Sequence, residues 1–229
     1  MSSRPLRLAY TGFALLGAAV LGAFVYDRAF RPASPAPREA PIAAVRASRP
    51  ASPTIPARRP QIALKDLAGQ VHSIADWDGK ALVINFWATW CAPCRREIPL
   101  LNRIEREYGP KGFEVVGIAV DFADDVKAFT KDFPIGYPLL IGEEDGLEAA
   151  RAFGVETMAF PFTAFTDAKG RIITVHMGEL QPAQAEAILG VVDRIDRGML
   201  APDGARAAVT AALDALPSAP RKGATAGVD

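Results

Sequence analysis

Cysteine is almost missing from this chain: Cys91 and Cys94 are the only two in 229 residues. That scarcity excludes a disulfide framework and leaves a four-ligand zinc site without its second cysteine pair. Histidine is as rare, and His72 and His176 both lie far from the cysteines in sequence. An excess of charge is also absent. Formal net charge is zero, so no bulk basic field argues for nucleic acid as a partner. Lysine is missing from residues 1–60, where nine arginines face only Asp27 and Glu39; that segment carries about +7 and the rest about −7. No internal repeat is present. What the chain has in quantity is apolar side chain, 50% of all residues, enough to build a core of domain size.

One long run is free of charge. Leu8 to Tyr26 is almost wholly apolar, and 19 helical residues span about 28 Å, close to a bilayer core. Arg4 and Arg7 precede it, as in a signal sequence. Leu21-Gly-Ala23 is a poor match to a small-x-small cleavage site, so residues 1–30 read as an uncleaved signal anchor. A buried core helix is the plainer alternative. It is weakened because the run is apolar on every face and a linker follows it. Arg28, Arg31 and Arg38 come after the span, so the positive-inside count favours neither orientation. Residues 31–60 hold eight prolines and eight alanines; they cannot bury a core and read as an extended spacer. Residues 61–198 form the predicted domain. Residues 199–229 are an Ala-rich tail, helical over 205–216 and disordered at the end.

Within 61–198 the pattern alternates strand and helix. Short strands are predicted at Ile62–Leu64 and Val71–Ile74 around a turn at 67–70. Ala81–Ala88 and Phe113–Val120 read as buried strands. Ala92–Tyr108 is a helix stopped by Gly109-Pro110 and kinked at Pro99, and Ala123–Asp132 is a second helix. A strand at Pro138–Ile141 precedes a helix near Asp145–Phe153. Phe162–Thr166 and Arg171–His176 form a hairpin around Asp167-Ala-Lys-Gly170, and an amphipathic helix, Pro182–Arg197, closes the domain.

The two cysteines sit in Trp90-Cys91-Ala92-Pro93-Cys94, between the first buried strand and the first helix. A strand that delivers Cys-x-x-Cys to a helix N-terminus reads as a thiol-disulfide redox site. The unpaired N–H groups and the dipole there favour a thiolate at Cys91, and Cys94, one turn on, can attack a mixed disulfide formed at Cys91. A structural disulfide is the bland reading, but so small a loop gains little chain-entropy stabilisation. Pro93 restricts the turn between the thiols. Arg95 and Arg96 read as a solvated helix face. Trp87 reads as core, whereas Trp90 is placed to shield the site or touch a partner. Glu97 lies three residues after Cys94 and shares its helix face. His176 and Met177, with Met158, make a conceivable soft metal pair; strand-end residues of this kind usually pack, and neither metal nor other cofactor is assigned.

The segment Asn85-Phe-Trp-Ala-Thr-Trp-Cys-Ala-Pro-Cys-Arg-Arg-Glu-Ile-Pro99 resembles the active-site stretch of thioredoxin-fold proteins. More narrowly it resembles the TlpA/ResA/DsbE-like group of membrane-anchored, extracytoplasmic thiol-disulfide oxidoreductases, over roughly residues 62–197. The resemblance implies a thioredoxin-like α/β fold with a central mixed sheet flanked by helices. It implies that Glu97 is a partly buried acid assisting proton transfer. In thioredoxin a buried Asp occupies the strand position held here by Asn85, which leaves Glu97 as the nearest acid. Pro161 matches the cis-proline that faces the active site. The loop from Val155 to Pro161 is about two residues longer than the usual pattern, with Phe160 before the proline and Phe162 after it. In the group this loop helps bind the substrate strand, so Trp90, Pro93, Phe160 and Pro161 are the candidate substrate-binding residues.

The combined expectation is a single-pass inner-membrane protein whose domain faces the periplasm and reduces disulfides through Cys91 and Cys94. Clients would be disulfide-containing extracytoplasmic proteins, apocytochrome c and copper-site assembly proteins among them. With no further cysteine to relay electrons, a membrane donor of the DsbD/CcdA type would re-reduce the pair. An oxidising, disulfide-forming enzyme and a non-catalytic copper-binding assembly module are the alternatives.

Overall fold

The computed structural model describes residues 55–155 and 159–217. The expected anchor, most of the expected spacer and the last twelve residues lie outside the described residues. No helix among the described residues is long and apolar enough to cross a membrane.

Seven strands form one mixed sheet in the order β2-β1-β5-β4-β3-β6-β7. They are β1 Ala63–Asp66, β2 Val71–Ser73, β3 Ala81–Trp87, β4 Phe113–Ala119, β5 Leu139–Ile141, β6 Phe162–Thr166 and β7 Ile172–Met177. β3, β4 and β5 run parallel, while β6 pairs antiparallel with β3 and β1 with β5. All seven residues of β3 are buried, as are all seven of β4. Both faces of these strands are covered, which is why their sequences are continuous apolar runs rather than alternations. The helices are α1 Ala92–Tyr108, α2 Ala123–Asp132, α3 Glu144–Ala152, α4 Pro182–Asp196 and α5 Ala205–Asp214.

One side of the sheet packs Ala81, Val83 and Phe165 under Leu101 and Ile104 of α1, Ile188 and Val192 of α4 and Val209 of α5. The other side packs Leu82, Ile84 and Phe86 under Ala149 of α3 and Phe153. A third cluster at the carboxyl end of the parallel strands joins Trp87, Cys91, Cys94, Ile98 and Val126. The site thus stands where β3 ends and α1 begins.

α1 explains itself from its sequence. Its buried residues, Cys94, Glu97, Ile98, Leu101 and Ile104, recur at three- and four-residue spacing and make one inward stripe. Pro93 falls in the first turn, where a missing N–H costs nothing. Pro99 lies inside the helix but on its exposed side, and the helix continues through it to Gly109.

Two boundaries differ from expectation. Residues 55–60, assigned to the spacer, already belong to the packed domain: Arg59 N donates to Gly170 O at 2.9 Å, Ile172 N donates to Ala57 O at 3.0 Å, and the Arg59 side chain is buried with Nη1 donating to Ile74 O at 2.6 Å. At the other end, α5 buries Ala205 and Val209 in the α4 cluster, with Leu200 and Leu213 packed against it. The domain therefore extends past residue 198. An alanine stripe carries little hydropathy contrast, so composition alone understated its packing.

Candidate active site

Cys91 caps the N-terminus of α1, and Cys94 N–H donates to Cys91 Sγ at 3.3 Å. The helix thus aims its unsatisfied amide end at the first sulfur, the arrangement that favours an anion there. The two cysteines are joined in a disulfide, with Cα atoms 5.3 Å apart. Cys94 is fully buried and Cys91 is 5% exposed, so Cys91 is the sulfur that solvent and partners can reach.

Glu97 sits on the same inward stripe and is 2% exposed. Its two oxygens are held separately. Oε1 accepts from Asn85 Nδ2 at 2.7 Å, and Oε2 accepts from the backbone N–H of Leu180 at 2.9 Å. Asn85 Nδ2 also donates to Thr163 Oγ1 at 3.0 Å. Thr163 and Asn85 are register partners, as are Asn85 and Gly117, so a polar row crosses the buried sheet directly under α1. Burial pushes the Glu97 carboxyl up to about 7, and the nearby Glu179 carboxylate adds to the rise. The bonds from Leu180 and Asn85 pull the other way without cancelling it. Two good donors therefore hold a carboxyl that desolvation still keeps close to half-protonated at neutral pH.

The β7–α4 loop that supplies Leu180 is fastened on its outer side as well. Arg96 Nε donates to Glu179 Oε2 at 2.9 Å, and Arg96 Nη2 reaches the same oxygen. Arg96 is thus a partnered residue, whereas Arg95 stays on the exposed face. His176 is half-buried; desolvation lowers its pKa, and the Glu179 backbone opposes that fall. Met177 is half-exposed and Met158 lies outside the described residues.

The Phe160–Pro161 peptide bond is cis. Pro161 is buried, and its carbonyl accepts from Gly178 N at 2.8 Å. Trp90 is 62% exposed, and its ring centroid lies 6.3 Å from that of Phe160. Trp90 and Phe160 join Phe122 and Leu147 around an open cleft of about 390 Å³ beside the cysteine pair. Pro93 is partly exposed at the helix start. The structure therefore brings Trp90, Phe160 and the cysteine loop together on one surface. Trp87 is core, as its sequence context indicated, at 1% exposure.

The AhpC/TSA family pattern matches residues 55–175. The thioredoxin-like protein YneN of Bacillus subtilis is 34% identical over 133 residues, covering 56% of this chain and 74% of that protein. The thiol-disulfide oxidoreductase ResA of Bacillus thuringiensis subsp. konkukian is 33% identical over 131 residues, covering 57% and 73% respectively. This chain belongs to the AhpC/TSA family, among the thioredoxin-superfamily proteins of TlpA/ResA/DsbE type. Among solved structures, a thiol:disulfide interchange protein of the thioredoxin family from Chlorobium tepidum superposes with a TM-score of 0.51 at 30% identity. It covers 63% of this chain and 97% of its own. The protein is a thiol-disulfide oxidoreductase with a thioredoxin-like fold.

Two contributors to the site had little or no sequence signal. Leu180 acts through its backbone, 83 residues from Glu97, and a backbone donor leaves no signature in side-chain chemistry. Glu179 is an ordinary acid until the fold sets it beside Arg96. Asn85, by contrast, was visible as the one amide in an apolar run.

Proposed function

We propose that this oxidoreductase works in the reducing direction outside the cytoplasm. Cys91 is the nucleophile, Cys94 the resolving thiol and Glu97 the proton acceptor. The observation that carries the reading is Glu97 itself, a buried carboxyl one helical turn from Cys94 with its pKa pushed up to about 7. The reduced pair begins the cycle. The Cys91 thiolate attacks a client disulfide, forming one mixed disulfide and releasing the distal client sulfur, which takes a proton. Glu97 accepts the Cys94 proton. The Cys94 thiolate then attacks Cys91 Sγ, closing the Cys91–Cys94 disulfide and expelling the second client thiolate. Two electrons pass from the pair to the client. A donor dithiol must return them, and a membrane donor of the DsbD/CcdA type fits a tethered enzyme.

The tether is the uncharged segment Leu8–Tyr26, with the domain on the periplasmic side of the inner membrane. Protease added to spheroplasts is expected to degrade residues 61–197, and purified protein to retain its N-terminus. A protected domain, or a chain starting after residue 26, defeats this topology. Clients are extracytoplasmic proteins with accessible disulfides, apocytochrome c and copper-site assembly proteins being candidates. Trp90, Pro93 and Phe160 form the surface that meets them, with the buried cis Pro161 holding the position of Phe160. A Cys94→Ser variant should accumulate mixed disulfides through Cys91 and so name them.

Direction follows from charge balance. A strongly stabilised thiolate favours the dithiol and makes an oxidant, with potentials near about −120 mV. Here Ala92-Pro93 places no cation between the cysteines, Arg96 is occupied by Glu179, and Glu97 can bring negative charge to the pair. The potential should lie at roughly −200 to −270 mV, measured by equilibration with glutathione buffers and alkylation of free thiols. A value above about −150 mV reverses the assignment in favour of disulfide formation.

A further inference from the structure

Asp121 is a buried carboxylate that the scheme above leaves unused, and it joins the two loops that carry the exposed aromatics of the site. It stands just past the end of β4 and is 9% exposed. The backbone ladder between β3 and β4 ends with Val120 N donating to Trp87 O at 2.8 Å. Beyond that rung the carboxylate takes over. Oδ2 accepts from Thr89 N at 2.9 Å and from Thr89 Oγ1 at 2.6 Å, while Oδ1 accepts from Phe122 N at 2.9 Å. Burying a carboxylate is costly, and these three donors are what hold it in place. Thr89 and Trp90 are the middle residues of a tight turn, closed by Cys91 N donating to Ala88 O at 3.2 Å. Fixing Thr89 therefore fixes the turn that presents both Trp90 and Cys91. On the other side, Phe122 opens α2 as an N-cap with no side-chain capping bond of its own, so Asp121 supplies the polar anchor at that helix start. Phe122 is as exposed as Trp90. With Leu147 and Phe160 the two rings wall the cleft of about 390 Å³, and Asp121 lies in its lining between them.

We propose that Asp121 is a positioning residue for client capture: its carboxylate ties the Trp90 turn to the Phe122 loop and so holds open the cleft that receives a large apolar side chain of the client, next to the client's disulfide. This rests on the reading of Trp90 and Phe160 as client-facing, and continuity with the cysteine selects the occupant. A mixed disulfide pins a client cysteine to Cys91, the residue after Trp90. Client residues one or two positions from that cysteine are thereby delivered to the cleft, since each residue advances the chain by less than about 4 Å. Its walls are three aromatic rings and a leucine. They gain most from an aliphatic or aromatic side chain withdrawn from water, and nothing comparable from a small polar one. Such a pocket works only while its walls keep their spacing. The hydrogen bonds of Asp121 are the direct tie between the loop of Trp90 and the loop of Phe122.

The brace is broken at Thr89, where Thr89→Val keeps the side-chain shape and loses the O–H donor, while Thr89→Ser keeps the donor. The full-length reduced protein in detergent is mixed with excess of either of two disulfide-bonded peptides, one with Phe beside its cysteine and one with Ser there. Oxidation of the Cys91–Cys94 pair, read by quenching and alkylation, gives a limiting rate and a half-saturating peptide concentration. Thr89→Val should raise that concentration about three- to tenfold for the Phe peptide, leave it unchanged for the Ser peptide, and leave the limiting rate alone. Thr89→Ser should restore it. In the free oxidised protein labelled with 5-fluorotryptophan, the ¹⁹F resonance of Trp90, assigned by its loss in Trp90→Phe, should move in Thr89→Val and return in Thr89→Ser. An equal rise for both peptides, or no rise, overturns the proposal. So does a changed rate of Cys91 alkylation by iodoacetamide with half-saturation unmoved, which would make Asp121 a charge acting on the thiolate. If Thr89→Val does not fold, Asp121→Asn, which keeps one acceptor oxygen of the two, decides alone: a rise confined to the Phe peptide supports the proposal and any other result ends it. A Trp90→Ala protein with wild-type half-saturation for the Phe peptide ends the client-surface reading and the proposal with it. A rise in Trp90→Ala without one in Thr89→Val ends the proposal alone.

Discussion

Glu97 shows how burial can outweigh two favourable hydrogen bonds. A carboxylate accepting from Asn85 and Leu180 would ordinarily have a depressed pKa, yet withdrawal from water wins and the value rises to about 7. The sign for stability follows. The folded carboxyl holds its proton more tightly than the unfolded one, whose value is about 4.3, so this contribution is fully present below that pH. It is lost as pH rises through about 7. In the oxidised protein, unfolding free energy should fall between pH 5 and 8 by up to about 3 kcal/mol more than in Glu97→Gln, measured by urea denaturation at each pH. Parallel pH profiles for the two proteins contradict it. The same substitution should alter the pH dependence of Cys91 alkylation between about pH 5 and 9 in the reduced protein, and identical profiles would return Glu97 to an ordinary buried acid. Some of this was legible in the sequence. The i,i+3 spacing put Glu97 on the face of Cys94, and Asn85 was conspicuous as an amide among apolar residues.

The elements were readable where punctuation and period agreed. α1 runs Ala92–Tyr108 as predicted, because a cap, an early proline and Gly109-Pro110 mark its ends and five buried residues mark its face. The short strands were harder to bound: β5 is three residues long and β7 runs one residue past His176. The one-turn helix Ile74–Trp77 was missed, being built by Ser73 and Asp76 in a capping box rather than by any hydrophobic period. Two variants probe how elements press on the site. Gly117→Ala places a methyl against the Tyr137 ring and Leu139, and should cost about 1–3 kcal/mol in denaturant unfolding; an unchanged midpoint would mean the ring moves freely. Glu179→Gln removes the like charge that raises Glu97 and frees Arg96 from the loop. The titration midpoint of Glu97 should then fall, read from its carboxyl resonance, and a rise would show that the Leu180 clamp had been lost instead.

The assembled domain is larger than its sequence outline, since α5 covers part of the α4 cluster and residues 55–60 are stitched to the start of β7. Ending the chain at Gly198 uncovers the surface that Ala205, Val209, Leu200 and Leu213 protect, and should cost about 2–5 kcal/mol in urea; no loss would make the helix an ornament. The strand order has a different consequence. β3 lies inside the sheet, paired with β4 on one side and β6 on the other, whereas β2 is an edge. Backbone amides of Val83–Phe86 can therefore meet deuterium only when the whole domain opens, while those of β2 exchange through local fraying. The cysteines hang from the end of that innermost strand. A fold that prefers its own disulfide unfolds less often when oxidised, which by a closed thermodynamic cycle is what being a reductant means. The deuterium clock at β3 should thus run slower in the oxidised protein than in the reduced one, and the clock at β2 should keep the same time in both.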